Sequence, residues 1–278
     1  MTVRYWTGAS SGAYSTSGNW SPGAVPQAND DVVIQGAVSI TSGLDQSAVE
    51  LDTFTVLESY TGAIGTVNEY LEIDVDDSFL YYSTGGPSYI DIAGNAIAPQ
   101  IFNTKAFAGG DYGLYLKGGT GGTAVTSLTV HKGAVHVNEH GGGTNTSSFT
   151  TINVGFVNNQ SSDSKVLIAP GTTVTNLNIS GGEVELQVAA GTINMLAGVL
   201  TTTGSGAITT LNLRGGAAYP KSNGVITSLN ASDGTIDFTR DSAAKVVTNF
   251  NADGATITFD KNILTITNLN ADGIRTIS

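Results

Sequence analysis

From residue 125 to the C-terminus, apolar positions recur in short words rather than in helical waves. Each word places an apolar residue, then Thr, then a variable residue, then a large apolar residue, then Asn, then another apolar residue. "TNFNADG" (248–254) and "TNLNADG" (267–273) are two nearly identical copies. Eight words can be placed, with central residues Leu128, Ile152, Leu177, Leu196, Leu211, Leu229, Phe250 and Leu269, spaced about 20 residues apart on average. Three positions before each centre stands an apolar residue, from Val125 to Ile266. One position after it, Asn fills six of the words: Asn153, Asn178, Asn212, Asn230, Asn251 and Asn270. Centre and centre+2 fall on one face of a strand, because side chains alternate with period two. A Gly-containing turn generally follows ("SDG", "ADG", "RGG"), then a second alternating run such as "TIDF" (235–238) or "ATITF" (255–259).

No segment is long enough for a crossover helix. A repeat of this length made of strands and bends predicts an all-β chain folded as a parallel β-helix, or β-solenoid, in which each coil buries its face only by stacking on the next. Coils stack about 4.8 Å apart, so each column becomes a ladder of like side chains and eight coils give a rod section roughly 35–40 Å tall. Residues 125–278 are the regular repeats. Upstream, "YLEIDV" (70–75), "FLYYS" (79–83), "YIDIAG" (89–94) and "YGLYLKG" (112–118) also alternate but are richer in Tyr and Asp. Residues 36–124 are therefore expected to form broader, less regular coils or a β-rich head, behind an N-terminal cap over 1–35.

Composition adds constraints. Only 12% of the 278 residues are charged and there are 36 Gly and no Cys, so the surface must be covered by Thr, Ser, Asn and Gly. Disulfides, thiol catalysis and Cys-ligated zinc are excluded. The net charge is −12, which repels a nucleic-acid backbone. It is uneven: residues 1–124 carry 13 acidic and 3 basic residues, residues 125–278 carry 10 and 8, and nine carboxylates lie between Asp45 and Asp77 without a Lys or Arg. No apolar run approaches a signal peptide or a membrane span, so the expectation is a chain made and assembled in a cytoplasm, without a membrane partner.

Candidate chemistry is sparse. Glu72, Asp74 and Asp76 would share one face of a strand and are weak calcium candidates, although the EF-hand pattern is absent. "HVNEH" (136–140) matches H-x-x-E-H in letters, but zinc binding by His136 and His140 with Glu139 as base needs a helix, and this stretch continues a strand into "GGG". "KGGTGGT" (117–123) lacks the G-K-[ST] ending of a phosphate loop. Among the acids of the repeats, Asp233, Asp253 and Asp272 precede turn glycines, where Asp shapes a bend, and Glu183, Glu185 and Asp237 suggest no catalytic pairing. The expectation is a protein with no catalytic residues and no cofactor.

The stretch "YWTGASSGAYSTSGNWSPGAVPQANDDVVI" (5–34) resembles the opening module of phage and bacterial β-helix proteins through Trp6, Thr7, Gly8, Asn19, Trp20, Gly23, Pro26, Asp31, Val33 and Ile34. "LDTFTVLESYTGAIG" (51–65) looks like that group's first rung. The resemblance implies a β-helix and, with no export signal, a non-enzymatic phage virion protein: a capsid decoration or cement protein, homotrimeric, docked on the major capsid protein or another virion protein. A receptor-binding tail fibre or spike, or a bacterial surface adhesin module, is the alternative. The last rung, with no evident cap, exposes strand edges that self-association or docking would cover.

Overall fold

The computed structural model describes all residues except 94–96, 120–122, 139, 141–145, 156–162, 272–275 and 278, and the side chains of 276 and 277. It is a β-solenoid of about 11 turns with 57% of residues in strands and 1% in helix. No helix among the described residues is long and apolar enough to cross a membrane.

Two stacks of parallel strands run the length of the molecule. The first begins with Val3–Trp6 and Asp31–Ile34, takes in 53–56, 78–81 and Gln100–Ile101, and continues through Val125–Val130, Ser147–Val154 and Thr172–Ile179 to Leu264–Ala271. The second runs through Ser88–Ala93, Leu114–Gly118, Gly133–Val137, Ser164–Ile168, Glu183–Leu186 and Val199–Thr202 to Thr256–Thr258. Residues 36–124 thus form wider coils on the same two stacks as the regular repeats.

The spacing of apolar residues at −3, 0 and +2 has a geometric cause. Pairing goes from Phe149↔Val174 directly to Thr151↔Asn176, and likewise from Ala190↔Ile208 to Thr192↔Thr210. Thr150, Thr175 and Thr209 sit on a bend and are exposed, and the bend lets both −3 and 0 face inward across an odd interval. Leu128, Ile152, Leu177, Leu211, Leu229 and Phe250 are all buried to 2% exposure or less.

Two of the expected column members are not in the core. Leu196 is 56% exposed. The pairings Leu177↔Ile193↔Leu211, Asn178↔Asn194↔Asn212 and Ile179↔Met195↔Leu213 show that this word is centred on Ile193. Its spacings to the neighbouring centres are therefore 16 and 18 residues, and a unit anchored on Leu196 is displaced by three. The physical reason is that this coil has the shortest corners. Met195 ends the strand, and the chain turns outward at Leu196, whose N–H donates to the Ile179 carbonyl (2.8 Å). Gly198, two residues past Leu196 and so inward if the word were centred there, lies at a corner with φ +82°. A Cβ there would come within 2.5 Å of the Gly182 carbonyl oxygen, so only glycine lets this coil settle on the one below. Leu269 is 58% exposed because it sits on the outermost described rung, where no described coil stacks over it.

The first coil is closed by the N-terminal segment. Val3–Trp6 pairs parallel with Asp31–Ile34 and antiparallel with Trp20–Ser21. Trp6, Tyr14 and Trp20 pack edge-to-face at 5.2 and 4.7 Å over the end of the core. Asn19 is fully buried and satisfied: its Oδ1 accepts from the Ser10 and Ser11 amides (2.7 and 2.8 Å), and its Nδ2 donates to the Ala13 carbonyl (2.8 Å) and Ser11 Oγ (3.0 Å). Trp6, Asn19 and Trp20 are therefore cap residues in physical terms.

The register makes a direct prediction. Ile193→Ala, which empties a packed position, should cost about 2–5 kcal/mol, whereas Leu196→Ala should fall within about 0.5 kcal/mol. Urea-denaturation midpoints of the two variants check this, and an equal loss in both would favour the displaced register.

Candidate functional site

Three outward-facing features carry polar chemistry: an amide file on the first stack, an acidic column on the second, and an aromatic layer between the second stack and its loops.

The amide file is the Asn column read from the sequence, with Asn194 now included. Asn178 Nδ2 donates to Asn153 Oδ1, Asn194 to Asn178 and Asn212 to Asn194, each at 2.9 Å. Asn230 donates to Asn212 and Asn251 to Asn230, both at 2.8 Å. Asn153 begins the file by donating to Thr129 Oγ1 (3.3 Å), and Asn270 stands in register above Asn251. Parallel stacking places these residues at one spacing, so each amide meets its copy head to tail. A shallow groove of about 500 Å³ runs beside the file between Asn212 and Asn270.

In the acidic column, Asp45 pairs with Glu72, Glu72 with Asp91 and Asp91 with Lys117, so three like charges stand on successive coils before a cation ends the run. Lys117 Nζ lies 2.9 Å from Asp91 Oδ2, with both side chains under 10% exposed, and 4.9 Å from the centre of the Tyr70 ring. Burial raises the Glu72 pKa, the Asp91 and Asp45 charges add to it, and Lys117 opposes. Beside it is a pocket of about 240 Å³ lined by Asp45, Glu69, Tyr70, Glu72 and Lys117.

Of the calcium candidates, Glu72 and Asp74 share the outward face of the strand Leu71–Tyr81, with Leu71, Ile73 and Val75 inward. Asp76 does not join them in the strand register. Pairing shifts from Leu51↔Val75 to Thr53↔Ser78, which puts Asp76 and Asp77 on an exposed bulge. Asp74, whose pKa burial and then Asp76 raise from its ordinary value, keeps one solvent-shielded oxygen without a hydrogen-bond partner. Among the described residues no group of three or more His, Asp or Glu has the geometry of a metal site. In the acidic column it is the Lys117 ammonium that supplies positive charge.

The aromatic layer was not read from the sequence as a unit. Tyr70, Tyr112, Tyr115 and Ala134 form a second apolar cluster outside the solenoid core, with Tyr89 stacked on Tyr115 at 4.6 Å. Its signal was the Tyr enrichment of alternating runs upstream of 125, at positions that alternation assigns to the outside. His136 lies in this layer, its ring 5.4 Å from Tyr112 and 5.2 Å from Tyr115, with Nδ1 3.1 Å from the Asn138 carbonyl. Burial pushes its pKa down to about 4. His136 is on a strand, as the sequence implied, and its ring is 6.2 Å from that of His140. Glu139 lies outside the described residues, as do Asp272 and the centre of the 117–123 loop. Asp233 caps its own turn, accepting from the Gly234 amide at 2.8 Å, and Asp253 precedes Gly254 at φ +92°.

No family model, curated protein or solved structure matches the chain.

Two pH dependences follow. A carboxyl whose pKa is raised on folding favours the folded state less as it ionises, so this contribution is lost as pH rises through the window between its ordinary and raised values. Glu72→Gln should therefore raise the melting temperature near neutral pH by on the order of 1 °C, with the difference vanishing below the carboxylate range. For His136 the folded pKa is depressed, so the stability from keeping the ring neutral is present above about 6.5 and lost as pH falls toward about 4. An NMR titration should show one imidazole with a midpoint near about 4, and Tyr112→Ala, which opens the layer to water, should move it upward.

Proposed function

We propose that this chain is a non-enzymatic structural protein of a phage particle, an outer capsid decoration or cement protein acting as a homotrimer. The observation that carries the reading is the way the N-terminal segment that bears the resemblance is used. Trp6, Asn19 and Trp20, which bear the resemblance to phage and bacterial β-helix proteins, are the residues that close the first coil. The likeness therefore lies in parts that build the fold.

Rigidity supports the same reading. One continuous core runs from Trp6 to Leu264, so the rod transmits load along its axis without a hinge between packed coils. A cement protein works by spreading many weak contacts over neighbouring capsid subunits, and a stiff, ion-poor rod loses little entropy in making them. The charge is placed for orientation: the acidic half, with its Asp45–Glu72–Asp91 column, would face basic capsid surface and steer docking. Self-association into a trimer would cover apolar side chains such as Leu269 and Leu196.

The experiment compares virions made with and without this chain. The reading predicts a species near 85 kDa (about three times 28.4 kDa) in light scattering of the purified protein. Labelled chain should appear on the head of the particle, and heads lacking it should release DNA at lower temperature. Label confined to the tail tip would assign a receptor-binding fibre, and label on a bacterial surface an adhesin. Either would overturn the proposal.

A further inference from the structure

The groove beside the amide file is not needed for the fold, and its chemistry is specific. It crosses four coils at Asn212, Asn230, Asn251 and Asn270, a length of about 14 Å at ladder spacing. Arg214 and Asp253 flank it, both exposed and without an ion pair within 4 Å among the described residues. We propose that this groove binds a neutral polysaccharide chain lying along the solenoid axis.

An amide has two N–H donors and two acceptor lone pairs. Asn212 and Asn230 each spend one donor on the coil before and one lone pair on the coil after. One N–H and one lone pair of each amide are left over for a ligand in the groove these side chains line, so each rung can offer one donor and one acceptor, repeated about every 4.8 Å. A hydroxyl is donor and acceptor at once, and adjacent hydroxyls on a sugar ring match such a pair. A protein strand laid along the same line does not. Its N–H and C=O groups return to one side only every second residue, roughly 6.6–6.8 Å, and fall out of step within two rungs.

Charge selects further. Arg214 stands in register with Asp233 on the next coil and Asp253 follows one coil on, so the groove carries little net charge, and a polyanion is repelled by it and by a chain of net charge −12. A polycation would be drawn instead to the acidic residues of the first half. Aromatic faces contribute nothing to the groove. Tyr82, Phe102 and His131, which stack on one another at 4.6 and 4.7 Å, lie on coils of the N-terminal half, two residues past the Gln100–Thr129 end of the amide column. Recognition therefore rests on hydrogen bonds repeated along the chain, with modest affinity per rung and gain by repetition.

The test is affinity electrophoresis of the full chain through native gels carrying dextran, yeast mannan or soluble β-glucan. Three proteins are compared: the parent, Ser232→Trp and Asn249→Ala. Ser232 is exposed within the groove, so Trp there fills it while leaving the amide file intact. Asn249 belongs to a separate short file, accepting from Asn268 at 2.9 Å, outside the groove. Melting curves confirm that both variants fold. The proposal expects at least one polysaccharide to retard the parent and Asn249→Ala alike, and Ser232→Trp to bind at least about tenfold more weakly. It is overturned if no polysaccharide retards the parent, if Ser232→Trp is retarded equally, or if Asn249→Ala loses binding as Ser232→Trp does.

Discussion

Everything in this molecule depends on one constraint: each coil must accept, column by column, the coil before it at the spacing of a parallel β-ladder. A side chain in such a structure is chosen chiefly by its counterparts one coil up and one coil down. Inward columns therefore hold aliphatics and, in the wide early coils, the stacked pair Phe54 and Phe79 at 5.8 Å. Outward columns hold groups that bond to their own copies, and the Asn file from 153 to 251 is the longest case. Corner columns hold glycine, because backbone meets backbone there. Gly198, Gly216 and Gly234 each adopt positive φ with the carbonyl of the glycine below at 2.5–2.7 Å from where a Cβ would lie.

The same constraint punishes like charges, and the acidic column shows how far it can be stretched. Asp45, Glu72 and Asp91 stand on three successive coils, and burial first, then the charges of Asp91 and Asp45, raise the pKa of Glu72. The run stops at Lys117, whose ammonium is held by Asp91 and the Tyr70 ring. Removing one member of such a buried pair costs more than the pair itself contributes, because the remaining charge is left uncompensated. The covering layer of tyrosines and His136 is the second consequence. It covers the Lys117 end of the column through Tyr70 and turns the outer face of the wide coils into a small core of its own.

Much of this was legible in the sequence, for a physical reason. Stacking writes the same residues at the same place in each coil, so repeats at 211, 229, 250 and 269 announce the architecture without any other information. The error at Leu196 has the same origin. Coil length is set by corners, which tolerate insertion and deletion, so a leucine three residues beyond Ile193 mimics the column when only spacing is used. The Asn194 amide was the better guide, because a hydrogen-bonded file has no vacancy to spare. The aromatic layer and the Lys117–Asp91 pair were not legible. They depend on the register between strands such as Ser88–Ala93 and Leu114–Gly118, which is set by corners of variable length, and corner length leaves no periodic trace. The groove, too, required coordinates: the amides were visible in the sequence, but the flanking of the file by Arg214 and Asp253 follows from the way the chain turns after centre+2.

The central claim is the register of the coils, and the chain offers a clean background for testing it because it has no cysteine. Thr192 and Thr210 are paired neighbours on the outward face, about 4.8 Å apart, within the range a disulfide spans. Met195 points inward and is buried. Oxidation of the double variant Thr192→Cys/Thr210→Cys should close an intramolecular disulfide, visible as a mobility shift reversed by reductant, while Met195→Cys/Thr210→Cys should not. Closure of the second pair and not the first would mean that the coil is centred on Leu196, and the stacking described for the amide file and its groove would be wrong.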